Sequence, residues 1–338
     1  TTDPHTTLLS SAASDVYKRQ ALIITRVALG VAEGFAVPAT YAFMGRWMPQ
    51  NERARLLAIV VSGATIGAPG GLIASGFLVE AFGWQSAFYT FGFLGLFWSA
   101  YWFRVARDDP STHPRITEEE QALLSTNSGD DSDDTVIPVR KILRHPAVWA
   151  LIINKFCALW MVYVFLAWLP SYFSAVQGIS LAGSGLFAAL PWIAMSLMLY
   201  VAAGYSDGLL ARGRDLDFVR KLMQVIGLGG AMVFLALIPF AESPTTALLA
   251  TCCAMGALAA CYSGADPTVL ELAPKYRGFL TGVVGTIGNI PGIIAIPMIG
   301  WLVDTTGSYS WGFISAAMLN VVGIIIWLVY GTGRKVID

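Results

Sequence analysis

The chain has 338 residues, of which 56% are hydrophobic and only 13% are charged, and its formal net charge is −1. Its mean hydropathy is +0.63. Soluble domains carry about 25% charged residues, so this composition excludes an ordinary soluble enzyme. The lack of a basic face also excludes nucleic acid as a partner.

The N-terminal segment, residues 1–20, is polar and lacks the apolar core of a signal peptide. It also places Lys18 and Arg19 next to the first apolar run, on the side where the other connections carry no basic residue. We predict that this segment is non-native or disordered, and a genuine soluble tail is the alternative.

Nine runs of mostly uncharged residues follow, and each is long enough to cross a bilayer, because about 20 apolar residues in a helix span its hydrocarbon core. We therefore predict nine transmembrane helices. The runs lie near residues 21–44, 54–79, 84–103, 147–173, 182–206, 218–241, 244–265, 278–302 and 310–331.

The basic residues fall in alternate connections between these runs. Of the 21 Lys and Arg residues, 17 lie in every second connection, and the intervening short connections hold none. Basic loops stay on the cytoplasmic side or its equivalent. The sequence therefore predicts a multi-pass membrane protein whose long central loop, residues 105–146, is cytoplasmic. The identity of the membrane, plasma or organellar, possibly plastid, is left open.

The chain also repeats itself. Gly76-Phe-Leu-Val-Glu-Ala-Phe-Gly83 is similar to Gly300-Trp-Leu-Val-Asp-Thr-Thr-Gly307, and the same offset joins Arg53 to Arg277. Several matches in register indicate an internal duplication, from which many transporters are built. We predict a 6 + 6 helix architecture in which residues 21–104 are the last three helices of the first half and residues 147–338 are the six-helix second half. The first three of twelve helices would then be absent, and we expect the chain by itself to be inactive.

Several motifs resemble one family. Arg26-Val-Ala-Leu-Gly-Val-Ala-Glu33-Gly34 with Arg46-Trp-x-Pro49, Leu169-Pro-x-Tyr172-Phe173, Val219-Arg-Lys-x-Met223 and Leu270-Glu-Leu-Ala-Pro-Lys-Tyr276 are similar, as an ordered set, to motifs of the anion:cation symporter family of the major facilitator superfamily. The similarity is greatest to the plastid phosphate/anion branch. Ala158 stands where vesicular glutamate transporters of this family carry an arginine, a departure that weakens a glutamate assignment.

The resemblance implies an all-α helical bundle that transports phosphate or an organic anion by alternating access, coupled to H⁺ or Na⁺. A sugar-acid or other carboxylate permease is the alternative within transport, and a non-transporting membrane protein or an inactive fragment is the alternative outside it. The sequence has neither a Gly-Lys-Ser/Thr phosphate loop nor a nucleophile–His–acid set, so we predict neither ATP drive nor an enzyme. We expect no cofactor, no metal and a monomer in the lipid bilayer.

Three ionisable residues stand well inside the runs: Arg26, Glu33 and Lys155. A charge at the bilayer centre costs about 2.5–3.5 kcal/mol on insertion scales, so each should face a cavity or a partner. The resemblance implies that Arg26 binds the anion or gates its site and that Glu33 couples transport to protons. A structural contact between helices is the alternative. Lys155 could extend towards the basic side or add positive charge to the cavity.

Other residues are candidates for lining the path, for interhelical contacts or for gating. Tyr163 could line the path with neighbouring aromatic residues, although packing explains aromatic residues more often. Asn289 and Asn320 could form interhelical hydrogen bonds. The residues Gly67, Pro69, Gly288 and Pro291 would allow the helix bending that rocking of the two halves requires. Asp207 and Arg212 fit the superfamily's loop signature loosely and could form a cytoplasmic latch, with a plain charged turn as the alternative, and Arg53 and Arg277 mark the repeated basic turns.

Overall fold

The computed structural model describes residues 20–35, 39–40, 43, 47, 53–114, 116–117, 119–121 and 138–336. Within these ranges the chain contains helices and no strand. It divides into two compact units, one made of residues within 1–61 and 98–133, and the other of residues 62–97 and 134–338. The predicted tail, residues 1–20, lies outside the described residues except for its last position.

Among the residues that the structure describes before the central loop, there are three helices. Helix α1 covers residues 20–35, and α2 (Arg53–Phe82) and α3 (Trp84–Val105) contain 30 and 22 residues. In the first unit, the Trp47 indole N–H donates to the carbonyl oxygen of Arg107 at 2.9 Å, and the Trp47 ring packs against Phe43 and His113. This aromatic cluster therefore links the segment before α2 to the segment after α3.

The second unit contains a short helix α4 (Val139–Arg144) and then the long apolar helices. Among the described residues, six helices are long and apolar enough to cross a membrane. They are α5 (Pro146–Ala175), α6 (Leu181–Ala211), α7 (Leu216–Phe240), α8 (Pro244–Leu272), the pair α9 (Arg277–Gly288) with α10 (Pro291–Thr306), which together make one span, and α11 (Ser310–Tyr330). They match the last six predicted runs.

One predicted boundary is wrong. The apolar run was placed at 244–265, but α8 continues to Leu272. The sequence of this last part contains Asp266 and Glu271, which look like the end of a membrane segment. Both carboxylates have cationic partners on neighbouring helices, and this pairing allows the helix to continue.

Helix α5 lies at the centre of the six-helix unit. It packs against α6, α9, α10 and α11, and Leu151, Met161, Phe165 and Phe173 are almost fully buried along its length. A helix that is apolar on all sides is expected to be an interior helix. Much of α5 is therefore buried among other helices of this unit, whereas Trp149 and Leu166 are exposed.

Two helices depart from α-helical geometry where they meet. Residues Val225–Gly229 of α7 form a π-helical turn, and Ala259–Ser263 of α8 form a 3₁₀ turn. A Cβ atom at Gly227 would lie only 2.4 Å from the Sγ atom of Cys261. The absence of a side chain at Gly227 thus allows the two irregular segments to touch. Such π-turns occur frequently at functional sites.

The predicted repeat has a structural counterpart. Gly83 and Gly307 follow the ends of α2 and α10 and have φ values of +82° and +67°. Their amide groups donate to the carbonyl oxygens of Val79 and Val303 at 3.0 and 2.8 Å. A left-handed glycine after the last helical turn is a common helix terminator. The two similar sequence segments therefore end in the same geometry.

The Gly and Pro residues expected to allow bending differ in their surroundings. Helix α9 ends at Gly288 and α10 begins at Pro291, so the helix is interrupted there. In contrast, α2 continues as a helix through Pro69.

The segment after α11 is tied to the start of α7. Arg334 donates to Asp215 at 2.7 Å, and Thr332 and Gly333 donate to Asp217. The hydrogen bond from Arg334 is the main reason why the pKa of Asp215 is lowered. These contacts fix the C-terminal segment at the end of the unit that carries the basic connections.

We predict that Gly227→Ala lowers the melting temperature of the purified protein in detergent, because the new methyl group must push α7 away from Cys261. Overpacking of this kind typically costs about 1–3 kcal/mol. Gly204→Ala on α6 is the matched control, since nothing lies within 4 Å of its added Cβ atom, and it should melt at or slightly above the wild-type temperature. Equal melting temperatures for the two variants would contradict the close approach at Gly227.

Candidate functional site

The main charged feature inside the spans is an ion pair between α5 and α8. The ammonium Nζ atom of Lys155 lies 2.9 and 2.8 Å from the two carboxylate oxygens of Asp266. The side chains are 24% and 27% exposed, so the pair is reachable from the surface of its unit. Lys155 therefore has a carboxylate partner on another helix, which neither of the two sequence alternatives specifies.

The surroundings of Lys155 favour a fixed position for its charge. Its ammonium group lies 5.1 Å from the centre of the Tyr262 ring, within the range of a cation–π interaction. Its aliphatic stem passes beside Gly288, where an added Cβ atom would lie 2.8 Å from the Lys155 Cγ atom. Glycine at this position thus gives the stem room to lie against the end of α9.

Asp266 stands in the first turn of the α-helical segment Ala265–Leu272, directly after the 3₁₀ turn of α8. The positive end of a helix stabilises a carboxylate in its first turn. A Cβ atom at the preceding Gly264 would lie 2.5 Å from the Gln224 side-chain oxygen. Close packing at Gly264 therefore fixes the start of the helical segment from which the Asp266 side chain extends.

A buried amide network lies directly beside the ion pair. Gln224 donates to Asn154 at 2.6 Å and accepts from the backbone N–H of Ala265 at 3.0 Å. Asn154 in turn donates to the carbonyl oxygen of Gly323 at 3.3 Å. Asn154 precedes Lys155 and Ala265 precedes Asp266. The network therefore joins α5, α7, α8 and α11 next to both charged residues.

Tyr163 lies further along α5. Its hydroxyl group donates to the side-chain oxygen of Asn289 at 2.8 Å, and its ring packs against Gly292 of α10. Eight residues separate it from Lys155, which is about 12 Å of helix rise. The interhelical hydrogen bond predicted for Asn289 is therefore present, and it lies at the break between α9 and α10.

The structure contradicts one of the other polar predictions and supports a packing role for two aromatic residues. Asn320 is fully buried, and its amide has no hydrogen-bond partner among the described residues, so the interhelical hydrogen bond predicted for it is wrong. Trp160 and Tyr172 are each only 4% exposed in the core, which supports the packing alternative for them. Trp168 donates to the carbonyl oxygen of Ile296 at 3.2 Å and so connects α5 to α10.

Arg26 and Glu33 lie on α1 in the other unit, and both are exposed within it. They are seven residues apart on one helix, as the sequence analysis required. Their roles in anion binding and proton coupling stay predictions.

The predicted latch residues lie at the end of α6, and their gating role stays a prediction. Asp207 and Arg212 are exposed at the end of α6, and neither forms an ion pair with another residue that the structure describes. Arg53 and Arg277 begin α2 and α9, and their side chains lie outside the described part of the chain.

A different ion pair lies near that end of the unit. Arg220 of α7 is paired with Glu271 of α8, and it also donates to the carbonyl oxygen of Ser263 at 2.8 Å. Arg220 is only 8% exposed. In the sequence these two residues stand out only as members of family motifs, because nothing in the spacing of Arg220 and Glu271 shows that α7 and α8 bring them together.

Helix α2 approaches α6 at a point where both backbones lack side chains. A Cβ atom at Gly185 would lie 2.6 Å from the carbonyl oxygen of Leu72, and Gly76 is similarly crowded by α6. Glu80 accepts a hydrogen bond from the backbone N–H of Ala182 in the first turn of α6. Beside this contact is a cavity of about 370 Å³, whose lining includes the hydroxyl groups of Ser75, Ser171, Ser174, Ser184 and Tyr309.

Within the described residues no group of three or more His, Cys, Asp or Glu side chains is placed to hold a metal ion. Cys157 and Cys261 are buried and unbridged, and Cys261 packs against Gly227. The chemistry that the arrangement supports is therefore reversible binding of charge by Lys155 and Asp266, with hydrogen bonding from groups such as Tyr163.

Comparisons with known proteins agree with this type of molecule. The chain is 36% identical over 317 residues to the chloroplastic ascorbate transporter of Arabidopsis thaliana, with 94% of this chain and 58% of that protein covered. It is 37% identical to the chloroplastic sodium-dependent phosphate transport protein 1 of Arabidopsis thaliana, with 94% and 62% covered. It is 30% identical to the probable small intestine urate exporter of Homo sapiens, with 92% and 64% covered.

The chain thus spans less than two thirds of the length of these relatives. Each of them is named as a transporter or exporter, in agreement with the predicted class of protein and not with an enzyme. Their names also agree with the predicted resemblance to the plastid phosphate/anion branch.

The fold has a match among solved structures. The crystal structure of a bacterial homolog of the human lysosomal transporter Spinster, inward-facing and unoccupied, has a TM-score of 0.51 at 14% sequence identity, with 88% of this chain and 73% of that chain covered. The sequence profile of the Major Facilitator Superfamily matches residues 6–214. With this profile match and this all-helical bundle of membrane-spanning length, the chain belongs to the major facilitator superfamily, as its ordered motifs predicted.

Proposed function

We propose that the protein is a secondary active transporter that moves a small anion across a membrane by alternating access, coupled to H⁺ or Na⁺. The observation that carries this proposal is the Lys155–Asp266 ion pair inside the membrane spans. Ionisable residues within membrane segments are costly and mark substrate or ion pathways. A purely structural ion pair would also offset the cost of burying two charges. Such a pair would not need to be partly exposed, as Lys155 and Asp266 are.

The substrate class follows from the charge of the site and from the relatives. Lys155 offers a cation, and Tyr163, whose O–H donates to Asn289, offers a hydroxyl oxygen that can accept from an O–H group of the solute. The matched relatives are named for ascorbate, phosphate and urate, which are small oxygen-rich solutes that are anionic at neutral pH. We infer that this chain takes a solute of the same class. Phosphate is the first candidate, and an organic anion such as ascorbate is the second.

Arg26 and Glu33 on α1 are two further charged residues to which we assign roles. In this account Arg26 attracts or holds the anion from α1, since a guanidinium group binds carboxylate and phosphate groups through two parallel hydrogen bonds. Glu33 on the same helix couples the transport cycle to protons in this proposal, as the family resemblance implies. The protein acts as a monomer in the bilayer.

Alternating access requires contacts that can separate. The contact between α2 and α6, with Gly76 against Gly185 and Glu80 at the first turn of α6, is one such contact, because small residues let backbones meet without interlocking side chains. The ion pair between Arg220 and Glu271 is a candidate for a separable contact at the opposite end. The basic residues Arg53, Arg212 and Arg277 and the acidic residue Asp207 remain candidates for gating there.

We predict that the protein encoded by the complete reading frame, reconstituted in proteoliposomes, takes up labelled phosphate or ascorbate when a proton or Na⁺ gradient is applied. Lys155→Met, Arg26→Ala and Glu33→Gln should each abolish gradient-driven uptake, because each removes a charge that binds or couples the anion. Arg140→Gln, which neutralises an exposed charge on α4, is the control and should transport like wild type. If a folded wild-type protein takes up no anion under any gradient, the non-transport alternative is correct.

Tyr163→Phe should raise the KM for the anion about fivefold with kcat little changed, since a typical hydrogen bond contributes about 1 kcal/mol. Asn289→Ala should have a similar effect, because it removes the group that orients the Tyr163 hydroxyl. The double variant should be no worse than either single one, since both act through one hydrogen bond. Strictly additive losses in initial uptake rates would show that the two residues act separately.

A further inference from the structure

We propose that Lys155 and Asp266 form an exchange site, in which a small anion replaces the Asp266 carboxylate as the partner of the Lys155 ammonium group while Asp266 takes up a proton. This inference rests on the proposed function and deepens it. It places the anion on Lys155 and names H⁺ as the ion that binds with it. Asp266 was not among the residues that the sequence analysis selected.

The geometry of the pair suits such an exchange. Both carboxylate oxygens of Asp266 contact the same nitrogen atom, at 2.9 and 2.8 Å, so Asp266 occupies the position that an anionic oxygen of a substrate would need. A lysine ammonium group is a compact charge with three donors on a flexible stem. It can therefore turn from one oxygen anion to another without movement of α5.

Charge neutrality links the anion to the proton. The ion pair has no net charge, and an anion bound beside it would leave one uncompensated negative charge in a low-dielectric region, which is costly. If Asp266 gains a proton, a new O–H bond forms and the carboxylate becomes a neutral acid. Lys155 and the anion then form the neutral pair. One monovalent anion and one proton thus bind together, and the net charge of the site is zero before and after.

We assign Asp266 as the proton acceptor of this site because of the groups that face it. From α5 it meets Lys155, and on α8 itself Tyr262 and Cys261 are its titratable neighbours. Arg220 of α7 and Glu271 of α8 are paired with each other. Residues 278–288 of α9 contain no titratable side chain.

The surroundings also hold the site in place when the partner changes. Gln224 fixes the backbone N–H of Ala265, and Asn154 binds both Gln224 and Gly323. The exchange therefore requires only rotation of the Asp266 and Lys155 side chains. The Tyr262 ring beside the ammonium group stabilises the cation while the carboxylate leaves.

The test measures anion binding and proton uptake together on the purified complete protein. Labelled ascorbate, which stays a monoanion near neutral pH, is added in weak buffer with a pH-indicator dye, and inorganic phosphate serves as a second probe. Wild type should take up about one proton per ascorbate bound, and over the pH range of this uptake its apparent Kd should rise about tenfold per pH unit. Asp266→Asn should bind ascorbate with little pH dependence and without proton uptake. Lys155→Met should not bind it, whereas Lys155→Arg should.

Controls separate the exchange from folding and from the proposed function. Asp215→Asn, in an exposed ion pair outside the spans, should bind and take up protons like wild type. If Asp266→Asn does not fold, Asp266→Glu should fold and keep the proton uptake, and the neutral double variant Lys155→Met with Asp266→Asn should fold and bind no anion. Undiminished proton uptake by Asp266→Asn, or binding by the neutral double variant, would overturn the exchange and leave anion transport standing. Failure of wild type to bind either probe would overturn both.

Discussion

A charge cannot remain unpaired in the hydrocarbon region of a membrane, and the interior of the six-helix unit is arranged around this constraint. Lys155 on α5 needs an anion, and Asp266 supplies it from α8. To reach Lys155, α8 continues as a helix past the end of its apolar run. Its irregular turn and the π-turn of α7 lie where the two helices meet. The ion pair, the irregular turns and the amide network of Asn154 and Gln224 thus form one local arrangement that compensates the charge of Lys155.

Glycine residues allow the helices to approach closely enough for this arrangement to form. Gly227 admits Cys261, Gly264 admits Gln224, and Gly288 gives room to the stem of Lys155. At each position a methyl group would occupy space that another helix already fills. In lipid there is little hydrophobic driving force between helices, so close packing and interhelical polar contacts provide the association. The glycine content of the chain is therefore concentrated, in part, where polar side chains must meet.

The sequence predicted most of the architecture because membrane length and loop charge are strong signals. The six spans of the second unit, the break at Gly288 and the repeated turns at Gly83 and Gly307 are all present. The sequence does not identify the partner of Lys155, because Asp266 lies one residue beyond the predicted run 244–265 and the pairing depends on how α5 and α8 pack. For the same reason Asn320 was assigned a hydrogen bond that its buried surroundings do not provide. Residue spacing places side chains on one helix, but it does not specify their contacts with another.

The most direct test of this account is a double-mutant cycle on the thermal stability of the purified complete protein, with Lys155→Met, Asp266→Asn and the two combined. Each single change leaves one charge without its partner inside the spans, and breaking such a pair by removing one member typically costs about 3–5 kcal/mol. The account predicts that the double variant, which has no charge to compensate, recovers most of the melting temperature lost in the Asp266→Asn variant. Additive losses in the double variant would contradict it.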